Sequence, residues 1–255
     1  MRKDNEVPAN ISIDYALSSV LEKLGFNVND EDDSYLDLLL ERFPKKLPTT
    51  YEFSKFSRQL SKSAEPSQDA DGCLMVWMKM EEHLFKVYEK HLVQIKLNEG
   101  FESVNEFIKF SLSVQNRRKS RAGYALENHL RELFNQLEVR YSYNAVTENN
   151  SKPDFIFPDI INYLSPNFND TYLDMLGVKT SCKDRWRQVL SEAKRVKHKH
   201  LLTLEPAISI NQTNEMKNNY LKLVVPSEIL STFTTVQQKD IFSVSNFIDY
   251  IKSKQ

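Results

Sequence analysis

The sequence predicts an α/β fold, in which helices flank a mixed central β-sheet and a helical elaboration precedes it at the amino terminus. Up to about residue 137, apolar residues recur at three- and four-residue steps, a spacing typical of amphipathic helices. Beyond that point, short apolar runs bounded by proline and polar turns alternate with helical segments. Interleaved strands and helices favour a mixed sheet, and 255 residues suffice to bury a sizeable core around it.

The amino-terminal part is predicted to be mostly helical. Residues 12–41 contain a helix followed by a shorter one in SYLDLLLERF, whereas KKLPTTYEFSKFSRQL is ambiguous between helix and loop. The stretch SKSAEPSQDADG, residues 61–72, is the most linker-like part of the chain. We therefore predict an N-terminal helical region over residues 1–70 and a main domain over residues 71–255.

Helical segments open the main domain. A long amphipathic helix is predicted from Cys73 to about Lys96, and FESVNEFIKFSLSVQNRR continues as helix after a break at Gly100. The segment AGYALENHLRELFNQL follows, and one apolar stripe runs along it, formed by Leu126, Leu130, Leu133, Phe134 and Leu137.

The strands of the sheet are predicted in the second half of the chain. The first three lie in EVRYSYNAV, KPDFIFPDI and TYLDMLGVKTS, and DRWRQVLSEAKRV then predicts a helix. Two more strands, HLLTLEP and LKLVVP, flank NQTNEMKNNY, which is either a helix or a loop. The segment FSVSNFIDYIKSKQ closes the chain as a helix.

Charge is unevenly distributed although the formal net charge is only −1. Residues 179–200 hold eight cations against Asp184 and Glu192; the cations are Lys179, Lys183, Arg185, Arg187, Lys194, Arg195, Lys197 and Lys199. Such a concentration predicts an anion-binding surface, as in proteins that bind nucleic acid. A solvated helix face is the alternative explanation of a charge run.

Cysteine usage and hydropathy indicate the cellular compartment in which the protein is expected. Cys73 and Cys182 are far apart and form no CxxC motif, which fits a reducing cytosol and predicts no metal–thiolate site. The amino terminus lacks the apolar stretch of a signal peptide, and the chain has no run of about 18 apolar residues. We expect a soluble cytoplasmic protein with no membrane contact.

Four polar residues suggest hydrolytic chemistry. Asp154 follows a proline at the start of a predicted strand, Lys179 ends the next strand, and Glu192 lies thirteen residues further on. Glu127 belongs to the long helix before them. Phosphodiester hydrolysis with Mg²⁺ needs hard oxygen ligands for the ion and a cation near the attacking water and the phosphate. Two carboxylates and a lysine at one end of a sheet supply these parts.

The predicted helix over DRWRQVLSEAKRV orients Glu192. Its apolar stripe is formed by Trp186, Val189, Leu190 and Ala193, while Glu192 falls on a different face with Arg185 and Gln188. The stripe can pack on the sheet while Glu192 points back to the strand ends.

These motifs in this order resemble the EcoRII/PspGI branch of type II restriction endonucleases, part of the PD-(D/E)XK nuclease superfamily. The resemblance rests on K-P-D-F, V-K-T-S, K-D-R-W-R-Q and the glutamate thirteen residues after Lys179, and extends to residues 117–130 and 200–216. The ordinary superfamily pattern has a carboxylate two positions before the lysine, where this chain has Gly177. The branch takes that carboxylate from the following helix, where Glu192 stands.

The resemblance implies a restriction-endonuclease-like core, with residues 71–255 as the catalytic domain, and a role for each motif residue. Asp154 and Glu192 would bind Mg²⁺, Lys179 would position or activate the water, and Glu127 would be an accessory catalytic acid. Lys183, Asp184 and Arg185 would read outer C·G pairs in the major groove, because arginine and lysine donate to guanine and a carboxylate accepts from cytosine N4. Further DNA contacts are expected from Arg187, Arg117 and Arg118.

The implied activity is site-specific cleavage of double-stranded DNA by a type II endonuclease. The site would contain CC/GG half-sites and most closely fit CCWGG, with CCGG and CCNGG as alternatives. A symmetric site needs two copies of the reader, hence a homodimer, and a companion methyltransferase is expected to protect the host DNA. A repair or recombination nuclease of the same fold, and a DNA-binding regulator without chemistry, are the other hypotheses.

Overall fold

A computed structural model describes residues 35–44, 46–63, 65–182 and 185–255 of the chain. The helices, in chain order, are α1 (Leu36–Arg42), α2 (Thr50–Leu60), α3 (Ala70–Glu99), α4 (Val104–Gln136), α5 (Ile160–Leu164), α6 (Trp186–Val189), α7 (Ile210–Asn218), α8 (Ser227–Leu230), α9 (Thr235–Gln238) and α10 (Val244–Lys252). The strands are β1 (Ser142–Tyr143), β2 (Phe155–Phe157), β3 (Asp174–Lys179), β4 (Lys199–Thr203) and β5 (Leu221–Val224). No helix within these ranges is both long and apolar enough to cross a membrane.

The amino-terminal helices pack on the two longest helices of the molecule. The helix predicted in SYLDLLLERF is α1, the ambiguous segment forms α2, and the rest of the helical prediction, up to residue 34, lies outside the described residues. Leu39 of α1 and Phe53 of α2 share a buried apolar cluster with Leu84 and Tyr88 of α3. Helix α3 begins at Ala70, and the division of the chain into two regions near this residue stays a prediction.

Helix α4 contains both helical segments predicted between residues 101 and 137. The sequence placed no break between them, and α4 runs without interruption from Val104 to Gln136. Gly123, at the junction, has helical neighbours on both sides and open space around the position of a side chain. The break at Gly100 is confirmed, because this residue ends α3 with a φ of 80°, a backbone conformation that glycine adopts without strain.

The predicted mixed sheet is confirmed and has the order β1-β2-β3-β4-β5. The β1–β2 and β2–β3 pairs are antiparallel, whereas β3–β4 and β4–β5 are parallel. The register of β2 and β3 pairs Phe155 with Leu176. Asp154, one residue earlier, therefore lies beside the carboxyl-terminal half of β3, the end at which Lys179 stands.

Each face of the sheet buries its own apolar cluster, because alternate residues of a strand point to opposite faces. On one face, Leu176 and Val178 pack with residues of α3, α4 and α10, among them Leu130. On the other face, Met175 and Leu201 pack with Trp186 and Val189 of α6. Trp77 and Tyr88, aromatic residues of α3, are buried, as expected for core positions on an amphipathic helix.

The helix predicted over DRWRQVLSEAKRV is wrong beyond its first turn. Helix α6 ends at Val189, and residues 190–198, which we call the α6–β4 turn, cross to β4 without regular structure. Glu192 therefore belongs to a turn and not to a helix. Ala193 has a φ of 45°, a left-handed conformation that an α-helix cannot contain, so the predicted helix could not extend through this residue.

Candidate active site

Asp154 and Lys179 are in direct contact at the end of β3. The Lys179 Nζ donates to Asp154 Oδ2 at 3.2 Å, and the backbone N–H of Val178 donates to the same oxygen at 2.6 Å. The side chains are 13% and 20% exposed, so the ion pair is shielded on most sides but still reachable. The backbone bond fixes the Asp154 carboxylate in place without using its second oxygen.

Glu192 approaches this pair from the α6–β4 turn. Burial, and after it the negative charge of Asp154, raise the pKa of the Glu192 carboxyl to about 7, with Lys179 opposing the shift. Its Oε2 is buried and finds no hydrogen-bond partner among the described residues. A buried carboxylate oxygen without a partner is costly. A cation bound between Glu192 and Asp154 would relieve that cost.

Glu127 reaches the same region from α4. The Tyr143 hydroxyl of β1 donates to Glu127 Oε2 at 2.5 Å. Burial raises the pKa of the Glu127 carboxyl, and the charge of Asp154 adds to the increase. The structure therefore places Glu127 close enough to Asp154 for their charges to interact, with Tyr143 as a partner that the sequence patterns did not indicate.

The donor set fits a magnesium ion held partly by other ligands. Magnesium prefers oxygen ligands and is commonly held by one or two carboxylates together with water and phosphate oxygens. Asp154 and Glu192 provide such carboxylates, and Glu192 Oε2 is available. No group of three or more His, Cys, Asp or Glu side chains in the described part of the chain has metal-site geometry. The ion would thus depend on water and substrate for its remaining ligands.

A cleft of about 300 Å³ opens beside these residues. Glu127, Asp154 and Lys179 lie in its wall, as do the basic side chains of Lys119 and Arg185. Glu192 is not part of that wall, which agrees with its buried oxygen. An acidic pair next to surrounding cations can accept a phosphodiester backbone and a metal ion together.

The predicted base-reading triplet is only partly visible. Lys183 and Asp184 lie outside the described residues, whereas Arg185 is exposed and reaches the cleft. The segment before the triplet is held by Glu205, whose Oε2 accepts from the Cys182 N–H at 2.5 Å and from the Ser181 hydroxyl at 3.4 Å. No spacing rule in the sequence indicated Glu205, because its partners are 23 and 24 residues away.

The other predicted DNA contacts have protein partners. Arg118 Nε donates to Glu89 Oε2 at 2.5 Å, and Arg117 lies 4.0 Å from the same carboxylate, which is fully buried. Arg187 pairs with Glu215 in an exposed ion pair at 2.7 Å. The structure does not bring Arg117, Arg118 or Arg187 into the wall of the cleft.

Comparisons with known proteins agree with this geometry. Residues 85–248 match the family described as EcoRII C terminal. The chain is 36% identical over 226 residues to the Type II restriction enzyme EcoRII of Escherichia coli, covering 88% of this chain and 55% of that enzyme. The chain thus spans little more than half the length of this curated relative.

Two solved structures share the fold. One is the restriction endonuclease PspGI bound to substrate DNA, with a TM-score of 0.64 and 20% identity over 82% of this chain and 93% of that chain. The other is metal-depleted Ecl18kI in complex with uncleaved DNA, with a TM-score of 0.65 and 17% identity over 87% of this chain and 82% of that chain.

Proposed function

This chain belongs to the EcoRII C-terminal family, and from that premise we propose that it is a type II restriction endonuclease that cleaves double-stranded DNA with Mg²⁺. One observation carries the proposal. The Asp154–Lys179 ion pair lies at the end of β3, and a buried carboxylate oxygen of Glu192 lies nearby without a partner. This combination of two acids and one lysine is what metal-dependent phosphodiester hydrolysis requires.

Each residue has a defined task in the proposed reaction. A bound Mg²⁺ would polarise the scissile phosphate and lower the pKa of a bound water. Asp154 and Glu192 would hold the ion, and Asp154 keeps its orientation through the Val178 N–H. The ammonium of Lys179, held by Asp154 Oδ2, would face the attacking water and a non-bridging phosphate oxygen. Glu127 would add negative charge beside the ion, with Tyr143 fixing its orientation.

The proposed target contains CC/GG half-sites, and CCWGG is the version that the likeness to EcoRII favours over CCGG or CCNGG. Support comes from Arg185, an exposed guanidinium at the cleft, since arginine donates to guanine O6 and N7. Lys183 and Asp184 would complete the reader. Because one reader serves one half-site, we propose a homodimer on a symmetric site, accompanied in its host by a methyltransferase.

Plasmid cleavage tests the proposal directly. The purified protein with Mg²⁺ and a plasmid containing CCWGG sites should give discrete fragments, and sequencing of their ends should place every cut at such a site. Intact DNA would contradict the proposed activity. Cutting at branched or mismatched DNA without a preferred sequence would instead indicate a structure-specific nuclease.

Substitutions at the three central residues test the assignment of roles. Lys179→Ala, Glu192→Ala and Asp154→Asn should each lower the cleavage rate by about 100-fold or more, because each removes a charge at the reacting phosphate. Lys217→Ala is the matched control, since Lys217 forms an exposed ion pair with Asp240 at 2.7 Å, away from the cleft. A fully active Asp154→Asn variant would refute the assignment.

The base-reading role of Arg185 has its own measurement. In EDTA, Arg185→Ala should weaken binding to a CCWGG duplex by roughly 1–3 kcal/mol, because a bidentate contact to guanine is lost. Binding to a duplex without the site should change much less. An equal loss on both duplexes would make Arg185 a phosphate contact.

A further inference from the structure

The α6–β4 turn has carbonyl groups that accept hydrogen bonds from a buried side chain of β4. Helix α6 is a single turn, and Ala193 adopts a left-handed φ of 45° directly after Glu192. Carbonyl groups in such a turn lack the regular partners of a helix or strand, and buried ones need another donor. The turn also carries Glu192, a proposed metal ligand, so the rigidity of the turn affects the position of that carboxylate.

Lys199 donates to three carbonyls of this turn, of which that of Ala193 also accepts from the Val196 N–H at 2.9 Å. It is the first residue of β4 and only 7% exposed, yet it is charged. Its Nζ donates to the carbonyl oxygens of Glu192 at 2.5 Å, Ala193 at 2.9 Å and Val196 at 2.9 Å. A lysine ammonium has three N–H donors. All three are used on three carbonyls of one turn, so the turn is fastened to β4 at both sides of Ala193.

A buried ammonium is costly unless it is fully hydrogen-bonded. A neutral side chain would fill the same space without the desolvation cost of an ammonium. The charge at residue 199 is therefore best explained by the groups that it contacts. The contacts of Lys199 are to the backbone of the turn, and one of them is to the carbonyl of Glu192 itself. The position of the Glu192 backbone is therefore set by a side chain from the central sheet.

A second cation holds the outer edge of the same turn. The Arg195 guanidinium donates to the Tyr163 carbonyl, to the carbonyls of Ser165 and Phe168 at 2.9 Å each, and to the Asp170 carboxylate. The turn is thus attached on one side to β4 and on the other to the loop after α5. Lys199 is the attachment that reaches Glu192.

We propose that Lys199 is the positioning residue for Glu192, holding the backbone of the α6–β4 turn so that the Glu192 carboxylate faces Asp154. This inference rests on the proposed function, because it assigns Lys199 a task in building the metal site. Lys199 is not part of the wall of the cleft. Its effect is transmitted through the carbonyl of Glu192.

Metal binding by Lys199→Met tests the inference. Methionine keeps the length of the side chain and removes the three donors. Titration with Mn²⁺ alone, followed by electron paramagnetic resonance of the free ion, should show an affinity about 10- to 100-fold lower than in the unsubstituted protein, the range for supporting residues at metal sites. The Mg²⁺ concentration for half-maximal cleavage should rise in parallel. Binding of a CCWGG duplex in EDTA should change little, because the base reader is untouched.

Lys222→Met is the matched control. Lys222 is a partly buried lysine on the neighbouring strand β5, and it packs over the ring of Phe242 at 3.4 Å, away from the turn. This variant should bind Mn²⁺ and cleave DNA like the unsubstituted protein. Wild-type Mn²⁺ affinity in folded Lys199→Met would overturn the inference.

The experiment also covers a variant that does not fold, and it distinguishes failure of the Lys199 inference from failure of the proposed function. If Lys199→Met does not fold, as judged by circular dichroism, Lys199→Gln replaces it; a shorter neutral side chain cannot serve three carbonyls, so wild-type affinity there would also overturn the inference. If the unsubstituted protein neither cleaves DNA nor binds Mn²⁺ in a Glu192-dependent manner, the proposed function fails. If it does both and the Lys199 variants match it, the role of Lys199 alone fails.

Discussion

Gly177 brings strand β3 and helix α6 into contact. A Cβ at this position would lie 2.9 Å from Val189 Cγ2 and 3.1 Å from Val189 Cγ1, closer than side chains pack. The ordinary PD-(D/E)XK pattern has a carboxylate here. In this chain Val189 occupies the space above residue 177, and Glu192, the proposed replacement for that acid, lies three residues beyond Val189. Residue 177 therefore lacks a carboxylate at the same point where β3 and α6 pack too closely to admit a side chain.

Two glycine substitutions measure the importance of that contact. Gly177→Ala should lower the free energy of unfolding by roughly 1–3 kcal/mol, because the added methyl group overpacks Val189. Gly123→Ala, in open space within α4, should raise it by about 0.5–1 kcal/mol, because alanine favours helix over glycine. Urea unfolding of both variants gives the comparison. A neutral Gly177→Ala would mean that α6 shifts away from β3 without loss.

His200 makes folding sensitive to acid. It is buried in β4 against the rings of Phe242, Phe247 and Tyr250. Burial, and after it the positive charges of Lys222 and Lys254, lower the pKa of the imidazole to about 3. Its neighbour Asp174, 3.6 Å away, is already paired with Lys254. The native state therefore keeps His200 neutral at pH values where the unfolded chain protonates it.

The direction of the pH effect follows. Between pH 6.5 and 3 the unfolded chain binds a proton at residue 200 that the native state does not, so stability falls as pH decreases. At pH 5 the loss from this one group should be roughly 2 kcal/mol relative to pH 7.5. In urea unfolding, the free energy of unfolding of His200→Phe should not show this part of the decrease at low pH. The control His198→Gln replaces an exposed histidine two residues away and should still show it. Identical pH profiles for the parent chain and His200→Phe would contradict the prediction.

At the level of elements, the sequence predicted the parts of the site that depend on local pattern. The strands around Asp154 and Lys179 were placed correctly, because continuous apolar runs and the flanking proline mark buried strands. The helix assigned to Glu192 was wrong, because this stretch forms a turn whose carbonyls bind Lys199 and whose Arg195 binds the loop after α5. Periodicity shows which residues can form a helix, but it does not show which side chains bind the backbone of a turn instead.

Asp71 shows how one element fixes the ends of two others. This buried residue of α3 accepts hydrogen bonds from the N–H of Ser227, where α8 begins, and from the N–H groups of Val244 and Ser245, where α10 begins. Helix starts leave N–H groups without partners, and a carboxylate there also interacts favourably with the helix dipole. Asp71 therefore attaches the carboxyl-terminal helices to α3.

Asp71→Ala should lower the free energy of unfolding by roughly 1–3 kcal/mol, because buried N–H groups lose their acceptor. Asp249→Ala, an exposed position on α10, is the matched control and should stay within about 0.5 kcal/mol of the parent protein. Thermal unfolding followed by circular dichroism measures both. Equal stability of the two variants would mean that water replaces Asp71 at the helix ends.

For the whole molecule, the cations of residues 179–200 have mixed roles. The sequence predicts an anion-binding surface from all eight, yet Lys179 pairs with Asp154, Arg195 with Asp170 and Lys199 with backbone carbonyls. These contacts stabilise the site from within. Composition counts charges but does not tell which of them are already paired by the fold. The surface left for the proposed DNA contact is smaller than the count suggests and includes Arg185; Lys119, outside this segment, also lines the cleft.

The salt dependence of DNA binding separates the two kinds of cation. Each phosphate contact contributes about 0.9 to the slope of log K against log salt, since binding releases a counterion. On a duplex without a CCWGG site, in EDTA, Lys119→Gln should flatten that slope by about 0.9 per subunit, because this exposed lysine lines the cleft. Arg195→Gln removes the same charge from a guanidinium that four protein groups already hold, so its slope should match the parent protein. A flattened slope for Arg195→Gln would place that guanidinium against DNA, and an unchanged slope for Lys119→Gln would exclude the cleft as the path of the backbone.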